Sequence, residues 1–197
     1  MIKSTDELKR ELNKFSNPST KIERLVKEGK LFKIKRGLYE TDKDVNPFYL
    51  SGIIYGPSYI SFQTALAYYG LIPERVYSIT CATFKKRKSK IFKNIFGDFL
   101  YEDVPEEVFP FGIERVLEKG YSYNIASKEK AICDMLYKYP PIYSIKDLLD
   151  LLFNDLRIDE EKIKELDMDY LEKIALLYKS TNHKLLVKYI RRNKNDK

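Results

Sequence analysis

Three cations spaced three residues apart, Lys21, Arg24 and Lys27, follow Ser19 and Thr20 in the stretch NPSTKIERLVKEGK. On an α-helix that spacing lines the cations along one side, away from an apolar stripe of Ile22, Leu25 and Val26. Cationic and hydroxyl side chains on one helix face can donate to phosphate oxygens and to base edges in a DNA major groove. Ser19 and Thr20 add the first helical turn, where backbone amides can hold a phosphate. A few residues on, Lys33, Lys35 and Arg36 surround a predicted turn at Lys35-Arg36-Gly37 in LFKIKRGLYE, and a basic hairpin tip suits the DNA backbone or minor groove. The expected DNA-contacting set is therefore Ser19, Thr20, Lys21, Arg24, Lys27, Lys33, Lys35 and Arg36. A solvated helix beside an ordinary hairpin would carry the same residues, so spacing alone leaves both readings open.

A second basic group, Lys85, Lys86, Arg87, Lys88 and Lys90 in KKRKSK, could meet nucleic acid or an acidic partner, or be a solvated loop between strands. Several enzyme chemistries are excluded. The chain has no GxxxxGK[ST], GxGxxG or GxSxG sequence, and its single histidine, His183, cannot furnish a histidine-rich metal site. His183 is expected to cap a helix or lie on the surface. Asp98, Glu102 and Asp103, with Lys128 or Lys130 near them, offer a nuclease-like set, but nothing in their spacing fixes a geometry, and a solvated strand edge explains them as well. No catalytic residue, metal or cofactor is called for. Cys81 and Cys133 stand alone in apolar segments and read as buried free thiols of a reducing cytoplasm.

The 197 residues are 44% hydrophobic and 33% charged, enough to bury a core, with a formal charge of +7 that favours a polyanionic partner. Charge is segregated. Residues 1–37 carry eleven bases and five acids, residues 144–172 ten acids and four bases, and the last fourteen residues six bases and one acid. The start lacks an apolar signal core, and no apolar run is long enough for a membrane span.

Local signals place the elements. Ser4 with Glu7 forms a capping-box pattern before a helix whose apolar side is Leu8, Leu12 and Phe15; Thr20 with Glu23 repeats the pattern, and Gly29 ends the second helix. TDKDVNP, residues 41–47, is the best boundary. Beyond it, NPFYLSGIIYG and SFQTALAYYG read as helices, VYSITCATF as a strand, KIFKNIFGDFLYEDV as two strands, and IERVLEKGYSYNIA as a hairpin turning at Lys119-Gly120. Ser127 caps KEKAICDMLYKY, with Ala131, Met135 and Leu136 inward, and helices alone follow Pro140-Pro141. The 27 Tyr and Phe residues fall at core-like spacing. The expected fold is α+β: a reduced winged helix-turn-helix over residues 1–45, then a domain over 46–197 that is mixed α/β to residue 140 and a helical tail from 141.

Four stretches together, KIERLVKEGKLFKIKRGLYE (21–40), GPSYISFQTALAYYGLIPERVYSITCAT (56–83), FGIERV (111–116) and NIASKEKAICDMLY (124–137), resemble the AbiEi-type antitoxins of type IV toxin–antitoxin (abortive infection) systems of phage defence. The resemblance covers about residues 4–140. It implies a non-enzymatic protein whose winged helix binds inverted repeats in its own promoter as a repressor. Its C-terminal domain would counter a nucleotidyltransferase-like toxin without requiring a stable complex. It places Lys21, Arg24, Lys35 and Arg36 in the recognition helix and wing. Family members carry a further helix before the helix-turn-helix pair. Here four residues precede the first predicted helix, so the small unit is expected to lean on the C-terminal domain or on another chain. The alternative is a protein-interaction module that binds no DNA and acts on the product of a neighbouring gene.

Overall fold

The chain starts with two short helices and a hairpin whose ends are set by side-chain caps. In the computed structural model, which describes residues 1–195, β1 (Ile2–Ser4) leads into α1 (Thr5–Glu11), and Ser4 and Glu7 close the expected capping box at 3.2 Å and 2.7 Å. A turn then feeds α2 (Pro18–Lys27), which has proline at its first position. Its cap is Asn17, whose side chain accepts from the Thr20 amide at 3.1 Å, so the expected Thr20–Glu23 box is replaced by a start three residues earlier. Gly29 N–H to the Val26 carbonyl and Lys30 N–H to the Leu25 carbonyl end α2 as anticipated. The hairpin of β2 (Phe32–Lys35) and β3 (Leu38–Glu40) turns at Arg36-Gly37, where Gly37 takes φ +80°, a conformation open to glycine. The unpredicted β1 pairs with β3, giving a sheet of order β1-β3-β2.

Leu8, Ile22 and Leu31 are the only fully buried apolar side chains of this unit's own cluster among the described residues, flanked by Leu12, Leu25, Val26 and Tyr39. Phe15, expected inward, is exposed because α1 stops before it. So small a core cannot order some forty residues alone. The hairpin instead reaches into the rest of the molecule. Ile34 belongs to the main core, the Phe32 ring meets Phe96 edge-on at 6.3 Å, and the Asn94 side-chain amide donates to the Ile34 carbonyl at 3.0 Å.

The remainder is an α+β body. Helix α3 (Pro47–Ile54), β4 (Tyr59–Ile60), α4 (Phe62–Tyr68), β5 (Ile79–Thr83), β6 (Lys90–Asn94), β7 (Gly97–Asp103), β8 (Ile113–Glu118), β9 (Tyr121–Ala126) and α5 (Lys128–Tyr137) follow in order. The strands form a mixed sheet, β6-β7-β5-β4-β9-β8, in which β4–β9 and β5–β7 are parallel and the other neighbours antiparallel. Strand β4 sits near the middle although it is two residues long, too short to show a period in sequence. Helix α5 is buried over nearly its whole surface, between α4 and the tail.

The tail is helical, as expected: α6 (Ile145–Asp150) continuing into a π-helical turn (Leu151–Asp155), α7 (Glu160–Lys164), α8 (Met168–Leu177) and α9 (Thr181–Asn195). Of the basic C-terminal end, Asp196 and Lys197 lie outside the described residues. No helix among the described residues is long and apolar enough to cross a membrane.

Candidate nucleic-acid interface

Helix α2 is amphipathic in the predicted sense. Ile22 is buried, Leu25 and Val26 are half-buried, and Ser19, Thr20, Arg24 and Lys27 are exposed on the other side. Lys21 is half-buried, its ammonium 5.0 Å above the Phe15 ring. Arg24 donates to Glu28 at 2.7 Å, and Lys30 reaches the same carboxylate at 3.0 Å. The bonds from Lys30 and Arg24 hold the Glu28 carboxyl down at about 2. Exposed pairs of this kind exchange readily for phosphate, because each contributes little in water. On the hairpin, Lys33 and Arg36 are exposed and make no hydrogen bond or ion pair among the described residues. Thr20 is less available than expected for a phosphate at the helix start, since Asn17 already occupies its amide.

Lys35 departs from the expectation. It is half-buried, and its ammonium donates to the carbonyls of Ile53 at 2.8 Å and Ile54 at 2.9 Å, in the last turn of α3. Unpaired carbonyls and the negative end of the helix dipole favour a cation there. Lys35 is therefore an anchor between hairpin and body, and the set facing solvent is Ser19, Thr20, Arg24, Lys27, Lys33 and Arg36, with Lys21 at its margin.

The second basic group is an ordered loop. The Asp103 carboxylate accepts the backbone amides of Lys86 and Arg87, each at 2.6 Å, and the Thr83 hydroxyl at 2.6 Å. Lys85 pairs with Glu106 at 2.5 Å, Lys86 donates to the Gly56 carbonyl at 3.0 Å, and Lys86 and Lys90 lie over the Tyr55 ring. Arg87 and Lys88 point to solvent without a carboxylate partner among the described residues. The acids of the nuclease-like set are engaged separately: Asp98 with Lys93 at 2.9 Å, Glu102 with Lys138 at 2.5 Å, and Asp103 as the loop's brace.

Lys130 pairs with none of these three acids. It is fully buried in α5, 3.4 Å from Asp134 one turn later, donating to the Val108 carbonyl at 2.8 Å and the Tyr178 hydroxyl at 2.7 Å. Asp134 accepts from Tyr59 at 2.9 Å, from Ser61 at 2.7 Å and from Tyr178. Ser61 thus spends its hydroxyl on Asp134 and makes no side-chain cap to α4. Burial raises the Tyr59 and Tyr178 phenols, helped by the Asp134 charge, and lowers Lys130 against the pull of Asp134. His183, expected at a cap or the surface, is fully buried and stacks on Tyr178, ring centroids 4.1 Å apart and 2° from parallel. Its Nε2–H donates to the Cys133 carbonyl at 2.9 Å, its Nδ1 lies 2.6 Å from the Ser180 hydroxyl, and burial lowers its pKa to about 4, which keeps the imidazole neutral near pH 7. Gly112 packs so closely that a Cβ there would come within 2.7 Å of the Lys130 Cβ. Sealed from solvent, this network joins sheet, α5 and tail. Sequence reading missed it. Its one local trace is the Lys130–Asp134 spacing on a helix, which exposed ion pairs share.

No protein-family model matches the chain, and no curated protein matches it.

Proposed function

We propose that the protein is an AbiEi-type antitoxin that represses its own operon, reading promoter DNA through α2 and the β2–β3 hairpin. The observation that carries this is the disposition of residues 1–40. Two helices joined by a turn precede a hairpin, an order that supports a winged-helix reading, and Arg24, Lys27, Lys33 and Arg36 are exposed on α2 and the hairpin. The Lys35, Asn94 and Phe96 contacts to the body support a unit whose own buried core is small. The body, from residue 46 on, would carry the activity that counters a nucleotidyltransferase-like toxin, a role resting on the motif resemblance.

The test is retardation of DNA from just upstream of the protein's own gene, against unrelated DNA, at low and moderate salt. Specific binding that weakens with salt is expected. Arg24→Ala with Arg36→Ala should weaken it and reduce the log–log salt slope by about 2, since each phosphate contact contributes roughly 0.9. Unchanged retardation by the double variant would remove this surface from the reading. Absence of any specific binding, with co-purification of the neighbouring gene product, would establish the interaction-module alternative instead.

A further inference from the structure

Helices α8 and α9 form an antiparallel hairpin: residues 178–180 join them, and Arg191 and Lys194 reach back to Glu172 and Asp169. The groove between them has a volume of about 470 Å³. Its floor is the Tyr178–His183 stack, and Leu176 and Val187 form its walls. Leu171 and Ile174 turn inward from α8, but Leu176 is 56% exposed at the groove's lip. Floor and leucine together make one apolar patch that a partner can take out of water. The charge around it has one sign. Beside the neutral His183, the only ionisable side chains of the lining among the described residues that carry charge are Lys179 and Lys184. Lys184 makes no ion pair among the described residues, and Lys179 has a loose one with Glu107 at 3.8 Å, between two exposed side chains, which holds it weakly. Lys188 follows Lys184 by one helical turn and is likewise exposed without an ion pair among the described residues. The nearest acid along α8, Glu172, already accepts from Arg191 and Lys194.

We infer that this groove docks an acidic amphipathic helix of a partner protein, its apolar stripe on Leu176, Val187 and the Tyr178–His183 stack and its carboxylates toward Lys179, Lys184 and Lys188. An antiparallel helix pair leaves a groove that a third helix fills at interaxial distances of about 8–10 Å. Complementary charge then selects the partner and fixes its orientation. A second copy of this chain fits poorly, because a two-fold contact through this face sets lysine against lysine. The chain's own acidic stretch, residues 144–172, fits no better, since its helices already bury Leu148, Ile163 and Leu171 in the core. Nucleic acid, which takes polar and charged surfaces, would leave the apolar floor unused. The site lies in the tail and stands whether or not α2 reads DNA.

The experiment is fluorescence anisotropy of the full chain with a labelled synthetic peptide of about eighteen residues, with leucine at i, i+3, i+4 and i+7 spacing, glutamate on its flanks and alanine elsewhere. Two companion peptides carry lysine for glutamate or serine for leucine. Saturable binding of the glutamate–leucine peptide alone is expected, weakening with salt. Leu176→Ala should weaken it at least tenfold, and Lys179→Gln with Lys184→Gln as much. All three side chains are exposed, so these variants should keep the Tm of the unsubstituted protein. Arg24→Ala with Arg36→Ala, on the proposed DNA face, should leave peptide binding intact, and Leu176→Ala should leave retardation of promoter DNA intact, so the two readings fail separately. No binding at about 100 µM peptide, equal binding of either companion, or equal binding by Leu176→Ala would overturn the site. So would a homodimer in sedimentation that Leu176→Asp dissociates, which gives the face to a second copy, or binding to phosphatidylglycerol vesicles that the same substitution abolishes, which gives it to a lipid surface.

Discussion

Acidification from about pH 7.5 to about pH 5 should destabilise the protein by about 2 kcal/mol through one side chain, the sole histidine. His183 is buried against Tyr178, and desolvation, with a smaller push from Lys130 and against the pull of the Cys133 carbonyl, lowers its pKa from 6.5 to about 4. The unfolded chain therefore binds a proton more readily than the folded one. The stabilisation is fully present above about pH 6.5 and is lost progressively as pH falls toward about 4. A shift of that size corresponds to ~3 kcal/mol in full, of which ~2 kcal/mol is already lost near pH 5. Carboxylates such as Glu28, held at about 2, lose their protons well below this window. The assay is urea unfolding at a series of pH values, with the m-value checked for constancy. His183→Gln keeps a neutral polar group and removes the titration, so its stability should vary about 2 kcal/mol less over the same range, whatever its absolute value. Equal pH dependence in the two proteins, or a histidine NMR titration near pH 6.5 in the folded state, would refute the reasoning.

Two more outcomes follow from the buried contacts. Asp134→Leu strands the Lys130 ammonium and three hydroxyls, so it should cost about 3–5 kcal/mol in chemical denaturation, whereas adding Lys130→Met should recover most of the loss; a double variant no more stable than the single would show that the pair is not the source. Lys35→Met should speed amide hydrogen exchange in residues 1–40 while leaving the sheet protected, and Lys33→Met, which removes no contact, should not; identical exchange in both would deny Lys35 its anchoring role.

Residues close in sequence settled most of the elements. Ser4 and Glu7 cap α1, Ser127 caps α5 and Gly29 ends α2 through bonds spanning three to six positions, so the signals and the structures they make lie within one short segment. Alternation and turn residues likewise marked the β8–β9 hairpin and its bend at Lys119-Gly120. Helix α2 and its basic outer face were legible for the same reason, since helical spacing alone divides Ile22 from Arg24 and Lys27. What depended on distant partners was not legible. Strand β4 exists because β5 and β9 pair with it, Lys35 turns from solvent to α3, and Asp134 is tied to Tyr59 from 75 residues away. An ammonium, a carboxylate or an imidazole carries the same letter whether it is solvated or buried, and its fate is set by desolvation and the partners that folding brings to it. Sequence thus determined where the helices start and stop and which side of α2 is charged, while tertiary packing alone decided which charges face outward and which, like Lys130, Asp134 and Lys35, hold the molecule together.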